Sequence, residues 1–402
     1  IGEGVNSLPV EFRNGIDVMT TETGCWSSIW ETDDLVRDYF ETHGRPGDFD
    51  RISPDEITLY DGLVEVDLSK IKPSIALPFH PSNVYTIEEL KENAEDIFTD
   101  IEKNSKETFS SNEIKIDLIS KIRNGQIRFE QGIIVGCSGG TFDNIMAAAD
   151  ILRGKSIGNG SFSLSIYPGS QPTYLELVRN GAVADLMAAG ALVKPAFCGP
   201  CFGAGDTPAN NELSIRHATR NFPNREGSKP TEGQVSLVAL MDARSIAATA
   251  VNEGILTAAD EIDVNYSGKR YYFDKTVYEK RVYNGWSKED PSAELVYGPN
   301  IKDWPSMPSL TEHVLIKVVT YINDPVTTTD EIIPSGETSS YRSNPMKLAE
   351  FTFSRKDPAY VGKAKEVLKY ELSREEGNNP EEVEELKEVY NSIRKIEGFE
   401  DT

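Results

Sequence analysis

Between about residue 130 and residue 255 the sequence alternates between two textures, and that alternation limits the fold more than any other feature. Short apolar runs, "GIIVGC" (132–137), "FSLSIYP" (162–168) and "GALVKPAF" (190–197), are separated by runs with helical spacing. The helical runs are "FDNIMAAADIL" (142–152), "PTYLELVRNGAVADLMAAG" (172–190) and "MDARSIAATAVNEG" (241–254). Strand and helix patterns in turn predict βαβ units, a largely parallel sheet and an α/β fold. Ligands of such sheets gather outside the carboxyl ends of the strands, so residues just after the apolar runs are the first candidates for function.

The flanks are less regular. Residues 1 to about 80 mix strand-like runs such as "LVEVDLS" (63–69) with loops and close on "IKPSIALPFHPSNV" (71–84). One helix is expected over "TIEELKENAEDIFTDIEK" (86–103), followed by the polar connector "KNSKETFSSNEIK" (103–115). Beyond residue 265 periodicity is lost until "HVLIKVVTYI" (313–322), an expected strand. The tail "NPEEVEELKEVYNSIRKIEG" predicts a helix capped by Asn379, with Pro380 in its first turn and Val383, Leu386, Tyr390 and Ile393 as its apolar stripe.

Charge and cysteine usage narrow the chemistry. A formal charge of -24 repels phosphate backbones, which disfavours nucleic acid as a partner. It also repels anionic substrates, so a carboxylate site would need local arginines to reverse the field. No apolar run approaches the ~18 residues of a membrane span, so no membrane partner is expected. No signal-peptide pattern opens the sequence. The chain begins at Ile1 rather than methionine, which suggests a trimmed or partial chain. Cytoplasmic localisation is the expectation, with organellar targeting left open. The four cysteines, Cys25, Cys137, Cys198 and Cys201, are too few for a disulfide-built fold and point to a reducing compartment. No two of the four histidines stand at metal-ligand spacing.

"GCSGG" (136–140) fits the G-x-S-x-G elbow of serine hydrolases, with Ser138 as nucleophile and His217 or His313 as a base. The neighbouring Cys137 offers a different chemistry, because "CGPC" (198–201) also follows a strand-like run. Two βα turns of one sheet could bring three thiolates together. The residues alone leave four readings open: a C-x-x-C redox pair, a Cys-four zinc site that recruits Cys25, inert buried cysteines, or an iron–sulfur cluster on three thiolates. A four-iron cube with three protein ligands keeps one iron open as a Lewis acid.

The ordered set "MTTETGCWSSIWETDD", "EVDLSKIKPSIALPFHP", "GCSGGTFDNIMAAADIL", "YPGSQPT", "FCGPCFGAGDTP", "TRNFPNREGS" and "TTTDEIIPSG" resembles the aconitase family of iron–sulfur hydratases. The likeness runs to about residue 350. It implies parallel-sheet βαβ domains of the aconitase type and a 4Fe–4S cluster on Cys137, Cys198 and Cys201. It implies that Glu22 contacts the reacting water and that Asp330 is the acid of the family's "TTD" element. Arg220, Arg225 and Arg342 are matched to arginines that bind substrate carboxylates. The chemistry suits those types, since a guanidinium fork on a carboxylate stabilises the charge that develops when the adjacent proton leaves. The implied organisation is residues 1–105 as the remainder of an α/β domain with a connector helix, 106–305 as the cluster-binding domain, and 306–402 as linker, start of a swivel domain and C-terminal helix.

The match has departures. Val18, Gly139 and Thr219 stand where the family usually has asparagines near the cluster, and Cys25 is additional, read as a buried hydrophobe. The family's Asp-Ser-His element and its Gly-Ser-Ser-Arg-like loop, which supply acid and base, are not found. The chain is therefore expected to be an internal fragment of an aconitase-like hydro-lyase. It would be inactive alone, would need the N-terminal and swivel regions of the same enzyme, and would act on a small hydroxy di- or tricarboxylic acid such as citrate or isocitrate. The CGPC pair and the continuation past the cluster domain favour the single-chain aconitase type. Homoaconitate or isopropylmalate dehydratase, or a non-catalytic cluster-binding module, are the alternatives.

Overall fold

A computed structural model describes residues 1–20, 24–109, 114–228, 233–307, 309–323, 327 and 329–401. The chain divides into two compact units, Ile1–Ser292 and Ala293–Thr402.

The first unit opens with helices α1 (Val10–Asp17) and α2 (Asp34–Thr42). Asp33 caps α2 by accepting from the Val36 amide and also pairs with Arg13, which is 2% exposed. Arg13 donates to the carbonyls of Val5, Leu8 and Glu31 as well, so one guanidinium ties the first 33 residues together. Burial alone would raise the Asp33 pKa, but the Arg13 and Val36 hydrogen bonds outweigh it and hold it below the ordinary carboxylate range. The sign follows: the pair stabilises fully above the unfolded carboxylate value, and this is lost as pH falls through the depressed one. Arg13→Ala is expected to cost about 3 kcal/mol at neutral pH, because it leaves a partly buried carboxylate and several carbonyls without a donor. Urea midpoints at pH 7 and pH 3 check this; the difference between variant and parent should shrink at the lower pH.

Strands β1 (Ser74–Ala76) and β2 (Val84–Thr86) form an antiparallel edge. Helices α3 (Ile87–Glu92) and α4 (Ala94–Thr108) follow, with Asn93 breaking what the sequence reads as one helix. A hairpin of β3 (Ile122–Arg123) and β4 (Gln126–Ile127) turns at Asn124 and Gly125, both at positive φ. Asn-Gly suits that turn, since both central positions need a left-handed backbone. The βαβ core then runs β5 (Gln131–Ile134), α5 (Gly136–Gly139), α6 (Phe142–Leu152), β6 (Ser163–Ile166), α7 (Gln171–Arg179), α8 (Ala182–Ala188) and β7 (Leu192–Val193). The chain returns as β8 (Leu213–His217), β9 (Leu237–Met241) and α9 (Ala243–Val251).

The sheet order is β2-β1-β9-β8-β5-β6-β7. Its five central and outer strands from β9 to β7 pair in parallel, and β1 joins β9 antiparallel. The chain winds from β5 outwards through β6 and β7, then crosses back to place β8 on the other side of β5. That reversal makes the crevice beyond β5 and β8 the topological switch point. Fully buried Ile134, Phe142, Ile145, Leu152, Ile215 and Ile246 fill the core that fixes these strand ends.

The α/β class and strands β5, β6 and β7 agree with the sequence reading, α6 and α9 lie within their expected runs, and β8 and β9 were not expected as strands. Three local expectations are corrected. Residues 63–69 form no strand; Leu63 and Val64 are exposed and only a short turn of helix forms at Leu68–Lys70. "PTYLELVRNGAVADLMAAG" splits into α7 and α8 because Gly181 takes φ +86. Among the described residues of the second unit there is no strand, and Val314, Ile316 and Val318 are exposed. An apolar alternation needs a neighbouring strand to pair with before it becomes sheet. That unit holds helices Thr329–Ile332, Ser335–Thr338, Pro345–Ala349, Tyr360–Glu375 and Glu384–Ile393, the last preceded by the expected Asn379 cap, which accepts from Glu381 N.

Candidate functional site

Cys137 sits in the tight turn that links β5 to α6. Gly136 takes φ +77, and a Cβ there would stand 2.9 Å from the Cys201 sulfur, so this turn abuts the CGPC loop directly. The next two glycines are equally constrained: a Cβ on Gly139 would lie 2.2 Å from the His217 carbonyl oxygen, and one on Gly140 2.5 Å from that of Tyr167. The CGPC loop, the end of β8 and the residue after β6 thus press on one short segment. Glu11 of α1 reaches across to cap α6, accepting from Phe142 N and Asp143 N at 3.3 and 3.0 Å. Burial raises the Glu11 pKa despite those bonds.

Cys198 and Cys201 follow β7, with Cys201 N donating to Cys198 O at 3.0 Å. Their loop is held at two points. Lys194 and Tyr167 both bond the Asp206 carboxylate, at 2.6 Å each for the shortest contacts, and Cys201 packs against the small cluster of Ile133, Val135 and Tyr167. Arg216 of β8, 2% exposed, donates to the Pro200 and Asp206 carbonyls at 2.7 and 2.9 Å. Burial pulls its pKa down, opposed first by Glu226 and then by Cys201.

The loop after β8 carries Arg220 and Arg225. Asn221, 1% exposed, anchors it by donating to the carbonyls of Ala76, Leu77 and Val238. A Cβ on Gly203 would meet the Glu226 backbone at 2.5 Å, so this loop also touches the CGPC loop. A small hollow at the junction is lined by Pro200, Cys201, Arg216, Ala218, Arg220, Arg225, Glu226 and Val238. Three guanidiniums face one carboxylate there, a local reversal of the chain's overall sign.

The three sulfurs influence one another. Burial, then the Cys198 sulfur, push the Cys137 thiol up. The Cys201 thiol is pushed up by its hydrogen bond with Cys198, by burial and by both other sulfurs, while Arg225 draws it down. Clustered thiols that resist ionising together, beside guanidiniums, are a donor set that a cationic iron core would stabilise as thiolates. The residues therefore fit a cluster on three cysteines. Among the described residues no three His, Cys, Asp or Glu side chains are placed to hold one metal ion. A cube spreads its thiolates over separate irons, whereas a zinc ion draws four ligands to one point.

The hydrolase pattern is not assembled. The buried Ser138 Oγ has no hydrogen-bond partner among the described residues. His217 is neutral, its pKa pulled to about 4 by burial, and its Nδ1 accepts from Ala243 N. Of the other expected residues, Glu22 lies outside the described residues. Asp330 and Arg342 belong to the second unit, where Asp330 is buried and accepts from Ser335 N at 3.1 Å and Arg342 is exposed. Cys25 is exposed, not the buried hydrophobe expected. Val18 ends α1 half-buried and Thr219 is buried. Sequence reasoning missed Arg216, Asn221 and the Tyr167–Lys194–Asp206 group. The one available signal was the charge at Arg216 two residues after Ser214, which puts both on one strand face.

A sequence model of the aconitase family (aconitate hydratase) matches residues 1–248. The 3-isopropylmalate dehydratase large subunit of Clostridioides difficile (strain 630) is 29% identical over 249 residues, covering 61% of this chain and 51% of that protein. The protein of the same name from Clostridium kluyveri is 27% identical over 262 residues, covering 65% and 52%. The 2,3-dimethylmalate dehydratase large subunit of Eubacterium barkeri is 28% identical over 232 residues, covering 58% and 47%. The chain spans about half the length of these curated relatives. These names match the dehydratase alternative rather than the single-chain type. No helix among the described residues is long and apolar enough to cross a membrane.

Proposed function

We infer that this chain, which belongs to the aconitase family of hydro-lyases, carries the cluster-holding and carboxylate-binding part of a dehydratase for small hydroxy di- or tricarboxylic acids. The observation that carries this reading is that, at the switch point of the sheet, the Cys137 turn abuts Cys201 of the CGPC loop, and Cys201 in turn lines a hollow with Arg216, Arg220 and Arg225. Cys137, Cys198 and Cys201 would hold a 4Fe–4S cluster. When bound, such a cluster supplies a Lewis acid for a substrate hydroxyl.

The chain's own residues do the rest of the work in this reading. Arg220 and Arg225 grip substrate carboxylates and stabilise the negative charge that builds up as the neighbouring proton leaves. Asn221 keeps their loop against β1 and β9, so the forks stay aimed at the hollow. Glu22 and Asp330 are proposed for proton handling, and Arg342 as a further carboxylate contact. The relatives' names support an alkyl-substituted malate as substrate in preference to citrate, and support a second polypeptide or region that completes the site. Turnover by this chain alone is not expected, and a reducing compartment suits its thiols.

The test is anaerobic reconstitution of the full chain with iron and sulfide. Equal amounts of bound iron and sulfide support the reading, and stoichiometric zinc with no sulfide overturns it. In the reconstituted protein, Arg220→Lys is expected to weaken binding of a small hydroxy dicarboxylate about tenfold by calorimetry, since an ammonium cannot replace a bidentate fork.

A further inference from the structure

We propose that Arg216 is a positioning residue for the sulfur site, pinning the Cys198–Cys201 loop to the sheet and placing a fixed positive charge beside the group those sulfurs hold. The second half of this proposal rests on the cluster reading above; the first does not.

The pin is visible in the bonding. One guanidinium nitrogen of Arg216 reaches the carbonyl of Pro200, which lies between the two cysteines, and the other reaches the carbonyl of Asp206, where the loop ends. The same side chain is held on the sheet by Ser214 Oγ of β8 and Gln131 Oε1 of β5, at 3.2 and 3.3 Å. A single planar fork therefore ties the middle of the CGPC turn and Asp206 to two strands. Lysine offers a compact ammonium that cannot bridge the two carbonyls at once.

The charge argument comes from what the fork bonds to. All four of these acceptors are neutral, and the side chain is buried, an arrangement that costs several kcal/mol unless an anion stands close by. The Asp206 carboxylate is engaged by Lys194 and Tyr167. Among the described residues Glu226 is the one carboxylate lining the hollow, and it shares that wall with Arg220 and Arg225 as well as Arg216. Thiolates carrying a cluster at Cys137, Cys198 and Cys201 would add to the negative charge that Glu226 has to share among three guanidiniums. A buried cation beside a redox-active centre also favours its reduced, more negative form.

The experiment uses the full chain reconstituted anaerobically, with Arg216→Met and Arg216→Lys beside the parent. Potentiometric titration followed by electron paramagnetic resonance reads the charge, and the rate of iron loss to a chelator reads the pin. Arg216→Met is expected to shift the one-electron equilibrium at least tenfold towards the oxidised cluster, a midpoint lower by ~59 mV, and to lose iron several-fold faster. Arg216→Lys is expected to keep the parent's potential and share the faster loss. Equal potential and equal loss in parent and Arg216→Met overturn the proposal. Should Arg216→Met fail to fold, parent-like iron loss in Arg216→Lys overturns the pin. A parent chain that binds no iron and sulfide defeats the cluster reading and the charge role with it. The pin is then read in the metal-free chain by proteolysis: faster cutting within residues 198–206 of Arg216→Lys supports it, and equal cutting overturns it.

Discussion

Cys201→Ala and Cys137→Ala proteins, reconstituted anaerobically and passed over a desalting column, are expected to retain no stoichiometric iron or sulfide, whereas Cys25→Ala retains the parent's content. Cys201 is the stringent choice because it is the half-buried sulfur that touches the Gly136 turn and faces the arginine-lined hollow. Removing it deletes a thiolate and leaves two that cannot close a cube by themselves. Cys25 is the informative control, being exposed and not part of the lining of that hollow. If Cys25→Ala lost the cluster while Cys201→Ala kept it, the ligand assignment would be wrong. Far-UV circular dichroism separates cluster loss from unfolding, and the small volume of the deleted thiol favours retention of the fold.

Gly139→Asn is expected to unfold the Cys137 turn rather than improve it. The family's usual asparagine at this point makes the substitution look like a restoration. The geometry says otherwise, because a Cβ at 2.2 Å from the His217 carbonyl collides with the backbone of β8. That strand is fixed by pairing on both sides, with β5 and β9, so it cannot step back. The cost is expected to be about 3 kcal/mol or more, at the upper end for overpacking a core. Gly139→Ala should cost nearly as much, since the clash is with the first side-chain carbon and not with the amide. Urea denaturation of both variants decides the matter. A parent-like midpoint in Gly139→Asn, together with slower iron loss, would mean that the turn has room for the family residue after all.

The comparison between sequence and structure is instructive at this turn. Gly139 reads in sequence as a missing polar partner, because an alignment of motifs records which residue is absent and not which space is absent. Strands β5 and β6 were legible because an apolar run buried on both faces has no competing explanation. Strand β8 was not recognised as one, since "LSIRH" carries a serine, a cation and a histidine and so offers no apolar run. Its Arg216 is buried against neutral acceptors supplied by a loop ten or more residues earlier, which no local pattern reveals. The cysteines were legible through spacing, and Arg220 and Arg225 through the motif around them. Asn221 was printed between the two arginines, yet its role depends on the ends of β1 and β9, which come together only in the folded sheet. The expected strand at 313–322 failed for the opposite reason: an apolar run was present, but among the described residues of the second unit no strand stands to pair with it.

The crossing-back of the chain from β7 to β8 has a temporal side. During synthesis Cys137, Cys198 and Cys201 all leave the ribosome before Arg216, Arg220 and Arg225, and the wall of guanidiniums can form only when a late strand docks beside an early one. Such long-range parallel pairing is slow relative to local helix formation. A nascent chain therefore passes through an interval in which its thiols are assembled on β5–β7 but still open on the side that β8 will cover.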